Sequence, residues 1–115
     1  MSAQATGEWV NSVRLIGRVS GEAAERTLPS GSVISSFRIV IDRPTEHGSA
    51  QRVDALECTA WAGRVRRSTR TWRKGDVVEV EGALRRNFFA TATGRASRVE
   101  VEVSGARMIR RAPIA

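Results

Sequence analysis

Five segments of this chain alternate apolar with polar residues, and this period of two constrains the fold more than any other feature of the sequence. Successive side chains of a β-strand point to opposite faces, so the alternation is typical of strands with one buried face. In the third segment Leu56, Cys58 and Ala60 alternate with Glu57 and Thr59. The predicted strands are residues 8–19, 32–43, 51–61, 76–86 and 95–109.

An aromatic residue followed by a basic stretch ends the third predicted strand. Trp61 falls on the polar face of that strand, where it is either a buried end or a platform for a ligand. Residues 64–74 then carry six basic side chains and no acid. Val65, Thr69 and Trp72 recur at helical spacing, which predicts a short helix with one apolar stripe. Exposed aromatics beside arginines fit an anionic partner with flat faces, and nucleic acid is such a partner.

The order of three strands, a helix and two strands predicts an all-β fold. It matches the five-stranded OB-fold barrel with one short helix between strands 3 and 4, and a five-strand meander is the alternative architecture. Gly17, in mid-strand, predicts a bend or a close backbone approach. Phe37 belongs to the core face. Residues 87–94 are predicted to form a turn-rich loop. If strand geometry persists there, one of Phe88 and Phe89 can be core while the other is exposed.

The charge favours a polyanionic partner. Lysine and arginine number 19 against 12 acids, giving a net charge of +7. Arginine binds phosphate in bidentate fashion and also stacks on bases. No carboxylate pair, metal-ligand cluster, glycine-rich phosphate loop or His/Cys/Ser constellation is present in the sequence, so we expect no enzyme, no cofactor and no metal. His47 stands alone in a loop.

The cellular setting follows from cysteine use and hydropathy. The single cysteine, Cys58, lies among apolar neighbours and is interpreted as a small core residue. It cannot form an internal disulfide, which favours a reducing compartment. The sequence has no apolar run long enough for a membrane span and no evident secretory signal. We therefore expect a soluble cytoplasmic protein.

Five motifs, in order, resemble those of the bacterial single-stranded DNA-binding protein family. The resemblance runs from about residue 11 to residue 109. The motifs are N-S-V-R-L-I-G-R-V at 11–19, L-P-S-G at 28–31, S-F-R-I-V-I-D-R-P at 36–44, A-W at 60–61 and R-K-G-D-V-V-E-V-E-G-A-L-R at 73–85. Each motif is weak alone, and their order and spacing together make the signal specific.

The resemblance implies sequence-nonspecific binding of single-stranded DNA in replication, recombination and repair. It also implies an OB-fold barrel that forms a homotetramer, usually through first-strand pairing, with a dimer as the smaller possibility. Trp61 and Phe89 fall on family positions that stack bases. Thr45 and Ala55 stand at two further positions where the family has tryptophan. No acid follows Glu102, so the acidic tip through which the family recruits other proteins is not evident.

Arginines on the polar strand faces are the expected phosphate contacts. Arg14, Arg18 and Arg38 lie opposite core positions, and Arg85 and Arg86 flank the predicted loop after the fourth strand. Such contacts neutralise phosphates and release counterions, whatever the base sequence. The arginines of the predicted helix are interpreted as a solvated face, because charge runs are weak evidence for a site.

Two other functions remain open from the sequence. One is an accessory OB-fold interaction module of a replication or restart complex, which the missing tip and the two unmatched tryptophans favour. The other is RNA binding, which the barrel permits. The predicted organisation is a flexible N-terminus at residues 1–7, one nucleic-acid-binding domain at 8–110 and a short tail at 111–115.

Overall fold

The computed structural model describes residues 8–44, 50 and 52–114. Predictions about residues 1–7, Thr45 and His47 lie outside the described residues. The elements are β1 (Val13–Val19), β2 (Ala24–Thr27), β3 (Val33–Asp42), β4 (Val53–Ala60), α1 (Gly63–Thr69), β5 (Val77–Thr91) and β6 (Gly94–Arg110). The all-β architecture and the helix between the predicted third and fourth strands are both observed.

Five of the strands are joined in a ring of pairings. β1 pairs with β5, β5 with β6, β6 with β4, β4 with β3, and β3 returns to β1. The pairing of β4 with β6 is parallel, and the others are antiparallel. The return to β1 uses two residue pairs, Arg18 with Val40 and Val19 with Ile39. The sixth strand, β2, pairs with the other edge of β3.

The core lies inside this ring and is closed by α1. Trp72 is 3% exposed, and its ring meets that of Phe37 edge-on with centroids 5.2 Å apart. Burial raises the pKa of the Cys58 thiol to about 12, and the charges of Glu57 and Glu100 act in the same direction. The predictions that Phe37, Cys58 and Trp72 are core residues are confirmed. The core comprises Val19, Phe37, Ile39, Cys58, Ala60, Val65, Trp72, Val78, Val80, Val101 and Val103.

Two elements differ from the sequence prediction for identifiable reasons. The short strand β2 was not predicted, because all four of its residues are exposed and no apolar face marks it. The helix ends at Thr69 rather than at residue 74. Beyond Thr69 the chain forms tighter turns, in which the Trp72 N–H donates to the Thr69 carbonyl at 3.2 Å. Asp76 also accepts a hydrogen bond from the Arg73 N–H at 2.8 Å.

The predicted loop at residues 87–94 is wrong. β5 and β6 pair continuously out to Thr91 and Gly94, so this stretch is a β-hairpin. The expectation that one of its two phenylalanines is core is also wrong, since Phe88 is 62% and Phe89 41% exposed. The hairpin extends past the ring. In the last predicted strand the alternation of Val99, Val101 and Val103 with Glu100 and Glu102 predicts that the valines face inward, yet Val99 is likewise exposed.

Two glycines mark close approaches between strands. A Cβ on Gly17 would lie 2.6 Å from the Val40 carbonyl oxygen, which confirms the close backbone approach predicted there. A Cβ on Gly82 would overlap the Glu102 carbonyl oxygen. Within the described ranges, no helix is long and apolar enough to cross a bilayer. Nor does this part of the chain contain a group of three or more His, Cys, Asp or Glu side chains able to hold a metal ion.

Candidate nucleic-acid interface

The outer face of the sheet is the set of side chains on β3, β4, β5 and β6 that point away from the core. Residues directly opposite in neighbouring strands lie on the same face. Ser36 is opposite Thr59, and Thr59 is in turn opposite Glu102. Phe89 lies opposite Ala96 on the same side of the β5–β6 hairpin. The strand register therefore places Phe89 and the polar row of β4 on one continuous surface.

Trp61 is held at the point where β4 meets α1. β4 ends at Ala60, and Ala62 precedes the helix with extended backbone angles. The Arg66 guanidinium donates to the Trp61 carbonyl oxygen at 3.1 Å, which fixes the backbone of this turn. The Trp61 side chain is 44% exposed, whereas Ala60 beside it is fully buried. The polar-face position predicted for Trp61 thus leaves much of the indole open to solvent.

A groove of about 870 Å³ surrounds this indole and is called the Trp61 groove. Its cations come from three elements, since Arg14 lies on β1, Arg64 on α1 and Arg85 on β5. The Arg64 guanidinium donates to the Ser104 carbonyl at 3.1 Å. The side chain of Asn11 hydrogen-bonds both the N–H and the carbonyl of Leu84 at 2.8 Å, which ties the chain before β1 to β5. An aromatic face with cations on several sides suits a stacked base and its phosphates.

A second groove, of about 530 Å³, lies at the root of the hairpin and is called the Phe89 groove. Phe89 forms one part of it, and Arg26 of β2 another. The guanidinium carbon of Arg98 lies 5.3 Å from the centre of the Phe89 ring, within the range of a cation–π contact. β2, which the sequence did not reveal, therefore supplies a basic residue to this groove.

The two grooves adjoin across the middle of the outer face. Glu102 lines the Trp61 groove, Thr59 lines the Phe89 groove, and these two residues are register partners. Ala60, just before Trp61, lies opposite Val103, whereas Phe89 lies opposite Ala96. Seven residues of β6 separate the two positions, which is about 23 Å at the rise of a strand. Trp61 and Phe89 are therefore separate contact points along one surface and are not neighbours.

Most of the arginines predicted to contact phosphate have carboxylate partners. Arg18 pairs with Asp42 at 3.2 Å and Arg85 with Glu102 at 2.7 Å. Arg38 hydrogen-bonds Glu57 through its Nε at 2.6 Å. A phosphate at any of these positions competes with a carboxylate already in place. Four of the five predicted arginines are paired in this way: Arg14, Arg18, Arg38 and Arg85.

The pairing of Arg14 with Glu79 joins β1 to β5. The hydrogen bond from Arg14 holds the pKa of the Glu79 carboxyl below its ordinary value, against the opposing effect of burial. Arg107 contacts the other oxygen of Glu79 at 2.6 Å. Glu79 is itself buried, so the carboxylate stays charged between two guanidinium groups. Arg14 consequently has a structural contact in addition to its place in the Trp61 groove.

Three arginines of the grooves were not predicted as contacts. Arg26, Arg64 and Arg98 form no ion pair with any carboxylate that the structure describes, so their charges are open to an anion. The position of Arg64, three residues after Trp61, was a usable sequence signal for a contact. It was not used, because the helix arginines were interpreted as a solvated face. No sequence signal marked Arg26 and Arg98, because their positions in the Phe89 groove depend on the pairing of β2 and on the β5–β6 hairpin.

The predicted residues are thus only partly brought together. Trp61, Arg14 and Arg85 line one groove, and Phe89 lines the other. Arg18 and Arg38 line neither groove. Arg86 lies on the opposite side of the hairpin, where it donates to the Ser97 hydroxyl at 2.9 Å. Ala55, at an unmatched tryptophan position, is exposed and offers no ring.

Comparison with known families decides which fold family this surface belongs to. The family model described as "Single-strand binding protein family" matches residues 10–109. The chain belongs to the single-strand binding protein family. The resemblance inferred from the sequence motifs is thereby confirmed over nearly the whole chain.

Curated members of the single-strand binding protein family are similar in sequence. The single-stranded DNA-binding protein of Thermotoga maritima is 35% identical over 97 residues, covering 81% of this chain and 67% of that protein. Single-stranded DNA-binding protein 3 of Listeria innocua is 27% identical over 81 residues, or 69% of this chain and 51% of its own length. The chain therefore spans about half the length of the Listeria relative.

A solved structure of the single-strand binding protein family has the same fold. The Plasmodium falciparum SSB, solved in complex with ssDNA, superposes with a TM-score of 0.74 at 19% sequence identity. The match covers 91% of this chain and 97% of that chain. The OB-fold prediction is confirmed by this likeness and by the ring of strand pairings.

Proposed function

We propose that this chain binds single-stranded DNA without sequence preference, along the track that joins the Trp61 groove to the Phe89 groove. Bases stack on Trp61 and Phe89, while arginines neutralise phosphates between and beside them. The curated relatives named as single-stranded DNA-binding proteins support this assignment. The proposal extends to the roles in replication, recombination and repair that such binding serves, and to action in the cytoplasm.

One observation carries the proposal: exposed aromatics and unpaired arginines lie together on one surface. Trp61 and Phe89 are 44% and 41% exposed, whereas the core rings of Phe37 and Trp72 are buried. Arg26, Arg64 and Arg98 stand in the same grooves without carboxylate partners among the described residues. Flat rings bind any base by its face, and unpaired guanidinium groups bind any phosphate. Neither kind of contact reads base identity, so sequence-independent binding follows.

The proposal places the binding domain at residues 8–110 and includes self-association, as a tetramer or a dimer. β1 supports this, because Val13–Arg18 pair with β5 along one edge and only Arg18 and Val19 pair with β3 along the other. A free strand edge is a ready site for pairing with another chain. The exposed side chains of Trp9, Val10 and Ile16 lie on or just before this strand.

A salt series tests the proposal. Fluorescently labelled oligo-dT is titrated with the full chain at several salt concentrations, and the mass of free and bound protein is measured. Three phosphate contacts per chain, from Arg26, Arg64 and Arg98, predict a slope of log affinity against log salt of about −2 per chain. A flat salt dependence, or preference for a matched RNA competitor over DNA, would contradict the proposal.

Two matched variants separate local contact from net charge. Arg98→Gln removes an unpaired guanidinium of the Phe89 groove, and the slope becomes shallower by about 0.7. Arg18→Gln removes the same charge from a residue that pairs with Asp42 and lines neither groove, so we expect little change in slope. Equal changes in the two variants would show that the slope reports overall charge and not the proposed track.

A further inference from the structure

The Phe89 groove contains a carboxylate that no described cation neutralises. Glu57, another acid of this groove, pairs with Arg38. Glu100 also lines the groove and is half-buried. It forms no ion pair with any lysine or arginine in the part of the chain that the structure describes. An uncompensated acid repels phosphates, so its presence on a surface that binds them requires a separate explanation.

Asn87 fixes the Glu100 side chain and is itself oriented by it. The Asn87 side-chain N–H donates to Oε1 of Glu100 at 2.9 Å. A carboxylate can only accept hydrogen bonds, so this contact also determines which way the Asn87 amide points. Asn87 lies two residues before Phe89 on the same face of β5, which is about 7 Å at the rise of a strand. The Glu100 carboxylate and the Asn87 Oδ1 are therefore hydrogen-bond acceptors close to the ring.

The charges of the groove decide which part of a nucleotide meets these acceptors. Arg26 and Arg98 line the same groove, and the Arg98 guanidinium lies against the Phe89 ring. Phosphates are attracted to these two cations and repelled by Glu100. A base stacked on Phe89 carries no charge and can approach the acid by its edge. The base edge, and not the phosphate, is thus the part of the nucleotide that faces Glu100.

Pyrimidine bases differ in the group that they present to such acceptors. Cytosine has an amino group at C4, which donates hydrogen bonds and is a known kind of donor to carboxylates. Thymine and uracil have a carbonyl oxygen at the same position, which only accepts. A carbonyl placed against Glu100 removes water from the carboxylate and supplies no donor in its place, which is costly. An amino group replaces the lost water with a charge-assisted hydrogen bond.

We propose that Glu100 and Asn87 form a base-edge acceptor site beside Phe89, which favours cytosine over thymine or uracil at this one position of the track. This inference rests on the proposed function and adds a base preference to it. Strands of every sequence still bind, because the stacking and phosphate contacts accept any base. Glu100 is the residue that contacts the base, and Asn87 also acts as a positioning residue for its carboxylate.

The test compares the affinities of oligo-dC and oligo-dU, each about 8 nucleotides long, at neutral pH. In a homopolymer the same base meets Phe89 in every register, and deoxyuridine lacks the methyl group of thymine. We expect the wild-type chain to bind oligo-dC about threefold or more tightly than oligo-dU. Glu100→Gln brings the two affinities to within about 1.5-fold, because an amide can turn its N–H towards the uracil oxygen. The ratio is informative because the loss of one negative charge strengthens both strands alike.

Two further variants assign the preference to this groove. Phe89→Leu removes the stacking surface, so it weakens both strands and lowers the ratio of the two affinities. Glu102→Gln removes the same charge two residues farther along β6, from a carboxylate that pairs with Arg85. It changes both affinities alike and keeps the ratio. If Glu102→Gln abolished the ratio as fully as Glu100→Gln, the preference would reflect the charge of the whole surface, and the inference would be overturned.

The outcomes separate this inference from the proposed function. If the wild-type chain binds neither strand, the proposed function fails. If it binds both equally, or oligo-dU more tightly, only the base-edge acceptor site is overturned. The site is likewise overturned if Glu100→Gln keeps the ratio of the wild type, since the preference then arises from stacking alone. Urea denaturation verifies the fold of each variant.

Discussion

Replacing Trp61 with leucine is the sharpest single test of the outer track. The substitution removes the aromatic face but keeps an apolar side chain over the part of the site that is buried. The indole is 44% exposed in the Trp61 groove, so a base can cover one face without any rearrangement of the chain. A base–aromatic stack is worth about 1–3 kcal/mol, which corresponds to an affinity loss of about 5- to 150-fold.

The assay is anisotropy of a labelled oligo-dT at fixed salt, because Trp61→Leu removes an intrinsic reporter. Phe37→Leu is the matched control, since it makes a similar aromatic-to-leucine change at a core residue in contact with Trp72. It lowers the free energy of unfolding by about 1–2 kcal/mol. At a temperature where this variant remains folded, its DNA affinity stays within about twofold of the wild type.

Conservative replacement completes the design. Trp61→Phe retains a ring in the groove, and we expect it to recover most of the affinity that Trp61→Leu loses. The reasoning is refuted if Trp61→Leu binds as tightly as the wild type. It is also refuted if Phe37→Leu, with folding verified by urea denaturation, weakens binding as much.

Two further predictions concern the framework of the site. Gly82→Ala forces a Cβ against the Glu102 carbonyl oxygen, and we expect it to lower the free energy of unfolding, measured in urea, by about 1–3 kcal/mol. Gly21→Ala is the control and is near neutral, because nothing lies within 4 Å of the added carbon. A hydrogen bond from the Ala112 N–H holds the pKa of Asp76 below its ordinary value. This depressed pKa stabilises the fold above the unfolded-state pKa of about 3.9, and the stabilisation is lost as pH falls through the folded-state pKa. Asp76→Asn removes that part of the acid dependence and costs about 2 kcal/mol at neutral pH.

Equal urea midpoints for the two alanine variants would show that the approach at Gly82 does not limit packing. For Asp76→Asn, the measurement is the free energy of unfolding between about pH 2 and pH 7. An acid decline as steep as that of the wild type would mean that other carboxylates, and not Asp76, account for it.

The strand and core predictions succeeded where burial imposes a pattern. Phe37 and Trp72 were identified as core residues because each belongs to a row of apolar residues, with the period of a strand for Phe37 and of a helix for Trp72. The same logic failed at Phe88 and Val99. The alternation persists there, but the hairpin has left the barrel, and local sequence does not record where the covering layer ends.

The predictions about the candidate site likewise succeeded for some residues and failed for others. Sequence identified Trp61 because an aromatic on a polar strand face stands out against its neighbours, whereas Phe89 was identified only through the resemblance to the family. It also selected arginines from the alternation of side chains along each strand. This alternation shows on which face of the sheet a side chain lies, but it does not show which carboxylate the side chain pairs with. The ion pairs depend on which strands are adjacent, and here they join Arg14 to Glu79, Arg38 to Glu57 and Arg85 to Glu102.

The sequence alone thus determined the five long strands and the helix, the core face of these strands within the barrel, and a basic surface on which Trp61 and Phe89 are open. These properties arise from periods of two and 3.6 residues and from composition, which are local. The tertiary structure alone decided that Arg26, Arg64 and Arg98 stand in the grooves unpaired. It also placed seven residues of β6 between the register partners of Ala60 and Phe89, which is about 23 Å along that strand. Contacts between residues distant in the chain follow from the closure and register of the sheet, and no short stretch of sequence encodes them.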